Sequence, residues 1–413
     1  MMAQTLAEKI LSKSTGRTVV GGEYILAPVA GAMASDTTAP AMIQAFEEMG
    51  GTELWDASKV SLVIDHAAPA PNERIAGLHQ MMRDFAQKTG CHLYDVGAGI
   101  CHHLMLDHGH VSSGDLFVGA DSHTCTYGAI GSFATGVGST DLAAVLKTGM
   151  IWLRVPESIK IVLNGRPEAG VAPKDVMLFV AGQLGPDLST YRAIEFSGTY
   201  FKNSPLFQRI PFANMGAELG AKVSLVCDET RSELCGDLDA TYVESLQFDV
   251  SDLQPQVSRP HSPCASEDLQ RHQGTKIQQA FLGSCTNTRI EDLRAAAAIL
   301  KGRKVADGVR MFVAPATRNT LLEAMKDGTL ETLTEAGCTL LPSGCGPCVG
   351  THLGVPGDGE VVISAANRNF RGRMGNPNAD VYLASPEAVA ASALAGEICS
   401  PREFLSISNE GSL

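Results

Sequence analysis

The chain has 413 residues, 44% of them hydrophobic and 19% charged, enough for two or three domains with substantial cores. Lys and Arg number 32 against 45 Asp and Glu, a formal charge of −13 that makes nucleic acid a poor default partner. The 42 glycines and 20 prolines are dispersed, which excludes a collagen-like or low-complexity chain.

The start, Met1-Met2-Ala3-Gln4, has no basic segment ahead of an apolar one, and no apolar run is long enough to span a bilayer. A soluble, cytoplasmic protein with no membrane partner is the expectation. From there the predicted elements alternate. Val60–Ile64 reads as a buried strand and Glu73–Lys88 as an amphipathic helix. Leu116–Ala120 is a strand, followed past a glycine-rich turn by a helix over about 140–152, and Ser158–Leu163 opens a new strand. Further strands are predicted at Ile277–Gly283, Arg310–Ala314, Cys338–Leu341 and Val361–Ser364, with helices over Ile290–Lys301, Arg318–Lys326 and Glu387–Leu394. This order predicts an α/β fold with mostly parallel sheets. Breaks near Arg154-Val155-Pro156 and in the polar, proline-bearing stretch 251–274, read as a linker, divide it into three α/β domains: 1–155, 156–262 and 263–413.

Chemistry gathers where predicted strands run into loops. Eleven cysteines, an odd number in a chain too large to need disulfide staples, favour reduced thiols, some of them metal-binding or catalytic. Three stand out. Cys285 follows one strand, with Asn287 or Thr288 suited to cap the next helix, and Cys345-Gly346-Pro347-Cys348 follows another. Loops beyond the carboxyl ends of parallel strands converge, so the three can meet. A CxxC pair by itself also suits a zinc knuckle or a redox dithiol. Three thiolates on a 4Fe-4S cluster would leave one iron open as a Lewis acid.

Asp65-His66 and Asp121-Ser122-His123 also sit at strand ends, where an Asp beside a His can orient an imidazole or move a proton. Five histidines fall between His92 and His110, but Cys101-His102-His103 are consecutive and give no zinc spacing. Gly136-Val137-Gly138 tempts a dinucleotide reading, yet Asp141 stands where the fingerprint needs Gly or Ala, and the motif is not expected to leave a strand directly. Asn367-Arg368-Asn369-Phe370-Arg371-Gly372-Arg373 concentrates three arginines in an acidic chain, and Arg forks suit the carboxylates of a small polycarboxylate.

Together, Asp65-His66, Gly99 to His102, Asp121 to His123, Asn214 to Glu218, Gly283 to Asn287, Gly344 to Cys348 and Asn367 to Arg373 resemble the aconitase superfamily in order and spacing over nearly the whole chain. The length and the opening Thr5 to Ile10 resemble the isopropylmalate dehydratase large-subunit family in its shorter archaeal-like, homoaconitase-like form. The resemblance implies three α/β domains around one 4Fe-4S cluster held by Cys285, Cys345 and Cys348. It implies a hydro-lyase that isomerises a 2-hydroxy di- or tricarboxylate, isopropylmalate in leucine biosynthesis first, with homocitrate, dimethylmalate and citramalate-type substrates as alternatives.

By the same resemblance, Asp65 orients His66, the general acid, and His102, Asp121 and His123 line the site. Ser122, Asn214, Glu218 and Asn367 contact substrate, water or cluster ligands, and Arg368 and Arg373 bind carboxylates. Ser35 and His103 depart from the residues common at their positions. The family's Gly-Ser-Ser-Arg segment, which supplies a serine base from a swivel domain, has no counterpart, since the Ser112-Ser113 pair is followed by Gly114. A separate small subunit carrying that domain is therefore expected, and activity only with it. A non-catalytic RNA-binding form and a zinc or thiol-redox protein of the same fold are the rival classes.

Overall fold

The structure, a computed structural model, describes residues 3–405. None of its helices is long and apolar enough to cross a membrane. Packing divides the described chain into two compact units. The first takes the chain up to Val96 with Cys101–Gly165 and Pro186–Asp249; the second takes Gly97–Ile100, Arg166–Gly185 and the chain from Val250 on.

The first unit holds a five-stranded parallel sheet in the order His92–Tyr94, Val60–Val63, Gly31–Ser35, Leu116–Gly119, Phe133–Gly136. The strands on either side of the central one are buried throughout and, apart from Ser61, apolar, as strands covered on both faces require. Leu62, Val118 and Phe133 pack with Phe46, Met42 and Leu146 from flanking helices into one core. The helix Glu73–Thr89 begins where Asn72 Oδ1 accepts from Ile75 N at 3.1 Å, and it ends at Gly90 in the left-handed region. The helix expected to reach 152 stops at Thr148, because Gly149 at φ 68° turns the chain, and Met150–Arg154 pairs antiparallel with Tyr24–Pro28 instead. Contrary to expectation, Gly136-Val137-Gly138 does leave a strand directly, Phe133–Gly136, and leads into the helix Ser139–Thr148. The same unit carries a four-stranded parallel sheet in the order Val223–Val226, Ala193–Ser197, Ser158–Asn164, Glu244–Asp249.

The second unit is built on a seven-stranded sheet. Asp380–Ala384, Val361–Ser364, Gln279–Leu282, Arg310–Val313 and Thr339–Leu340 run parallel, and Gln256–Ser258 and Ser266–Asp268 extend one edge antiparallel. The 251–274 stretch is thus not a plain linker. Its prolines flank short edge strands, where a missing N–H is tolerated, and Gln256, Val257 and Ser258 are buried. Helices Ile290–Leu300 and Pro386–Ala395 bury alanine-rich faces against this sheet. Neither Asn287 nor Thr288 caps Ile290–Leu300 with its side chain. Asp292 Oδ2 does so from inside, accepting from Thr288 N at 2.9 Å and Arg289 N at 3.1 Å. The helix Pro173–Leu184, although it lies in sequence between two strands of the four-stranded sheet, belongs to this second unit, where Asp175 Oδ1 accepts from Gln256 N at 2.9 Å.

The five- and four-stranded sheets fall within 1–155 and 156–262, and the seven-stranded sheet within 263–413 apart from Gln256–Ser258. The mostly parallel sheets with intervening helices make an α/β fold.

Candidate functional site

Register decides where the polar residues of the first unit emerge. Ser35 pairs with Val63, Met33 with Gly119, and Val63 with Tyr94, so Asp36, Asp65-His66 and Asp121 all follow strand carboxyl ends on one edge of the sheet. Asp65 is fully buried. Its Oδ1 lies 2.8 Å from His66 Nδ1 and its Oδ2 accepts from Cys101 N at 2.7 Å. The first contact assigns the proton to Nδ1 and turns Nε2 toward Asp121 Oδ2, 3.3 Å away.

Asp121 gathers three histidines. Besides His66, its Oδ1 lies 3.0 Å from His102 Nε2 and accepts from His123 N at 2.7 Å. Burial would raise this carboxyl, but the bonds from His102, His123 and His66 outweigh it and hold it well below the usual range. His102 Nδ1 faces Tyr127 Oη at 3.3 Å. His123 Nε2 meets Glu218 Oε1 at 2.8 Å, and Asn214 Nδ2 donates to Thr126 Oγ1 at 2.8 Å. Asn214 ends the helix Leu206–Asn214 and Glu218 lies in the turn after it, so the segment before strand Val223–Val226 closes the network. Ser122 is exposed and opens on a cavity of about 560 Å³ shared with Asp121, Thr38, Gly138 and Lys222. A larger cavity of about 880 Å³, lined by Lys9, Lys160, Glu195, Cys227 and Tyr242, contains none of the expected residues.

Asp36, His79, Thr126 and Tyr127 belong to this network but were not singled out as site residues. Asp36 Oδ1 accepts from His66 N at 2.8 Å and Asp65 N at 3.2 Å, and its Oδ2 accepts from Ala67 N at 2.8 Å and faces His79 Nε2 at 3.2 Å. Hydrogen bonds to an ionised group contribute roughly 1.5–3 kcal/mol each, so Asp36 anchors the Asp65-His66 loop. Burial would raise its carboxyl, but the His79 bond, the His66 charge and the backbone N–H groups bring it to about 2. The available signal was position: Asp36 follows its strand as Asp65 and Asp121 follow theirs.

In the second unit the three expected cysteines are 6%, 5% and 4% exposed in the order Cys285, Cys345, Cys348. Cys285 and Cys345 pack together with Ile100. Asn367 reaches two of the three: its Nδ2 donates to Cys285 Sγ at 3.2 Å, and its Oδ1 lies 3.9 Å from Cys348 Sγ. Arg373 Nη2 donates to Cys348 Sγ at 3.8 Å. The backbone pays for this arrangement in conformation: Ser284 sits at φ 99°, in the region that favours glycine. A Cβ on Gly350 would fall 2.2 Å from Gly375 N, so only glycine lets the Cys348 loop lie against the arginine loop. Arg368 and Arg373 are half-buried, and Asn369 Nδ2 ties their loop down through Arg259 O at 2.7 Å and Val381 O at 3.0 Å.

Three buried thiols with amide and guanidinium donors on their sulfurs form a soft donor set, which suits an iron–sulfur cluster and its usual hydrogen bonding. Lys174, which sequence reading passed over, lies in the same unit. It is fully buried, and its Nζ donates to Ala366 O at 2.6 Å, Ala365 O at 2.7 Å and Asn287 Oδ1 at 3.3 Å. Burial pulls it down to about 7 against the charges of Asp292, Cys348, Asp175 and Cys285, while burial raises both Asp175 and Asp292 to about 6. Cys338 and Cys399 are pushed up to about 12 by burial, as expected of thiols that only fill a core.

A family model described as "Aconitase family (aconitate hydratase)" matches residues 8–234 and 264–396. The chain is 45% identical over 418 residues to the 3-isopropylmalate dehydratase large subunit 1 of Methanopyrus kandleri, covering 98% of this chain and 100% of that one. It is 43% identical over 421 residues to the protein of the same name from Thermotoga maritima, with 98% and 100% covered. Among solved structures, the holo form of aconitase X from Thermococcus kodakaraensis shares the fold with a TM-score of 0.55 at 13% identity, covering 86% of this chain and 87% of that one.

Proposed function

Given that the chain belongs to the aconitase family, we propose that it is the large subunit of a cytoplasmic hydro-lyase that interconverts 3-isopropylmalate and 2-isopropylmalate, a step of leucine biosynthesis. It works with a small subunit that completes the site. Relatives named 3-isopropylmalate dehydratase large subunit, matched end to end, support the substrate and the partner. The observation that carries the chemistry is that Cys285 packs with Cys345 and Ile100 while Asn367 bonds Cys285 Sγ and lies 3.9 Å from Cys348 Sγ.

Held by these three cysteines, a 4Fe-4S cluster would supply a Lewis-acidic iron for the substrate's hydroxyl and carboxylate. The protein's own groups do the rest. His66, with Nδ1–H fixed on Asp65, presents Nε2 as the atom that passes a proton to the departing hydroxyl. Asp121 stabilises the imidazolium from the other side and holds His102 and His123 in place to steer the water that leaves and returns. Glu218 and Asn214 fix His123 and its turn, and Ser122, Arg368 and Arg373 bind carboxylates, the arginines through paired N–H groups. The base that removes the proton α to a carboxylate comes from the small subunit.

Anaerobic purification and reconstitution test this. Iron with acid-labile sulfide, and isomerisation of 3-isopropylmalate only after a small subunit is added, are the expected results. Zinc in place of iron, or full turnover by this chain alone, would overturn the reading.

A further inference from the structure

We propose that Lys174 is a positioning residue of the cysteine site: it clamps the loop carrying Cys285 to the loop carrying Asn367 and thereby fixes the spacing of the thiols. The inference rests on the reading of the three cysteines as one ligand set.

Burial makes a lysine costly at this position, and the charges of Asp292 and Asp175 offset that cost only in part. Lys174 is 0% exposed, and taking an ammonium out of water costs several kcal/mol after relaxation. It is also the second residue of the helix Pro173–Leu184, at the positive end of the helix dipole, where a cation is disfavoured. The charges of Asp292 and Asp175 favour the ammonium, but their oxygens bond other donors. Asp175 accepts from Gln256 N and Ala172 N, and Asp292 accepts from Asn287 Nδ2, Thr288 N and Arg289 N.

What Lys174 does bond is informative. Its three partners, the carbonyls of Ala365 and Ala366 and the Asn287 side-chain oxygen, are all neutral acceptors. A neutral amine has two N–H groups, so satisfying three acceptors calls for the ammonium. Those partners sit on two different loops. Ala365 and Ala366 immediately precede Asn367, which donates to Cys285 Sγ, and Asn287 lies two residues after Cys285. The links therefore close a ring from Lys174 through Ala366, Asn367, Cys285 and Asn287 back to Lys174. Cut at the lysine, the ring still has the Asn367–Cys285 bond and the 3.5 Å contact from Ser284 Oγ to Ala365 O, but it loses its three shared acceptors, and a neutral hydrogen bond contributes only about 1 kcal/mol.

The test compares the full-length apo chain with Lys174→Met, an apolar side chain of similar length, and with Lys174→Gln. Alkylation of Cys285 by iodoacetamide is followed by peptide mass spectrometry, with the core thiol Cys338 as internal control, alongside thermal melting. Cys285 is expected to react about tenfold faster in Lys174→Met, in line with loss of one to two hydrogen bonds. Lys174→Gln should fall between, Cys338 should not change, and the Tm of Lys174→Met should match or exceed that of the parent. Iron loss from the reconstituted variants should be roughly 10–100-fold faster, the usual scale for a supporting partner of a metal ligand.

An unchanged Cys285 rate in any folded variant would overturn the proposal. So would parallel acceleration of Cys285 and Cys338 with a lowered Tm, which marks a general structural role. Should Lys174→Met not fold, Asn287→Ala opens the same clamp from its other end and carries the same comparison. Because alkylation is read on the apo chain, a parent protein that never takes up iron would count against the proposed function and leave the Lys174 result standing.

Discussion

The two units solve the problem of burying reactive groups in opposite ways. In the first, each carboxylate is surrounded by donors: Asp36 has four contacts at 3.2 Å or less, and Asp121 holds two histidine rings and a backbone N–H. Its charges are fixed by the protein alone. In the second, Asn367 and Arg373 reach the sulfurs at 3.2 to 3.9 Å, on a backbone strained at Ser284. If the cysteines hold the proposed cluster, acid–base function and iron retention should be separable by mutation.

The largest separation is expected from the thiols. Cys345→Ser should reduce iron to background and abolish turnover, while the pH dependence of melting contributed by the first unit stays as it was. Iron retained at the parental level, measured after anaerobic desalting, would remove Cys345 from the ligand set. His66→Ala should do the reverse, keeping iron and sulfide while kcat falls roughly 10²–10⁴-fold, the usual contribution of a positioned acid or base. Loss of iron in His66→Ala would mean that the two groups of residues are not energetically distinct.

Asp36 sharpens the comparison through pH. Its folded value of about 2 lies below the ordinary 3.8, so its contribution to stability is complete above pH ~4 and is lost as pH falls toward 2. The size of the depression corresponds to ~2 kcal/mol. Asp36→Asn should lower stability by about that much at neutral pH and flatten the acid limb of a Tm-against-pH curve between pH ~4 and ~2. A parallel limb in parent and variant would show that another carboxylate governs acid unfolding. Activity should fall less than in His66→Ala, because Asp36 bonds the backbone of the Asp65-His66 loop and lies 3.8 Å from the imidazole, beyond hydrogen-bond reach.

Much of this was legible because strand carboxyl ends advertise themselves in sequence. A buried apolar run followed at once by Asp-His, Asp-Ser-His or Gly-Ser-Cys places side chains where parallel strands must converge. The residues behind them were harder to see. His79 lies on the buried face of an amphipathic helix, where a histidine reads as packing. Lys174 follows Pro173 at a helix start, which reads as a solvated first turn. Only the tertiary assignment of that helix to the seven-stranded sheet turns the lysine inward, and no local pattern encodes it. The short strands near that edge failed for a related reason: Gln256–Ser258 is short and flanked by prolines, and it is a strand because Asp380–Ala384 and Ser266–Asp268 pair with it on either side.

The smallest effect, and the finest test of how the first unit's network is organised, is expected at Tyr127. This side chain is fully buried, and its hydroxyl lies 3.3 Å from His102 Nδ1, whereas Asp121 Oδ1 lies 3.0 Å from the opposite nitrogen. A long neutral contact contributes about 0.5–1.5 kcal/mol and a bond to a carboxylate about 1.5–3. If Asp121 sets the orientation of His102, Tyr127→Phe should lower kcat only about three- to tenfold, with KM and iron content unchanged. A fall of a hundredfold or more would shift that role to the tyrosine, and the network would then be organised around the Tyr127 hydroxyl and not around a single shared carboxylate.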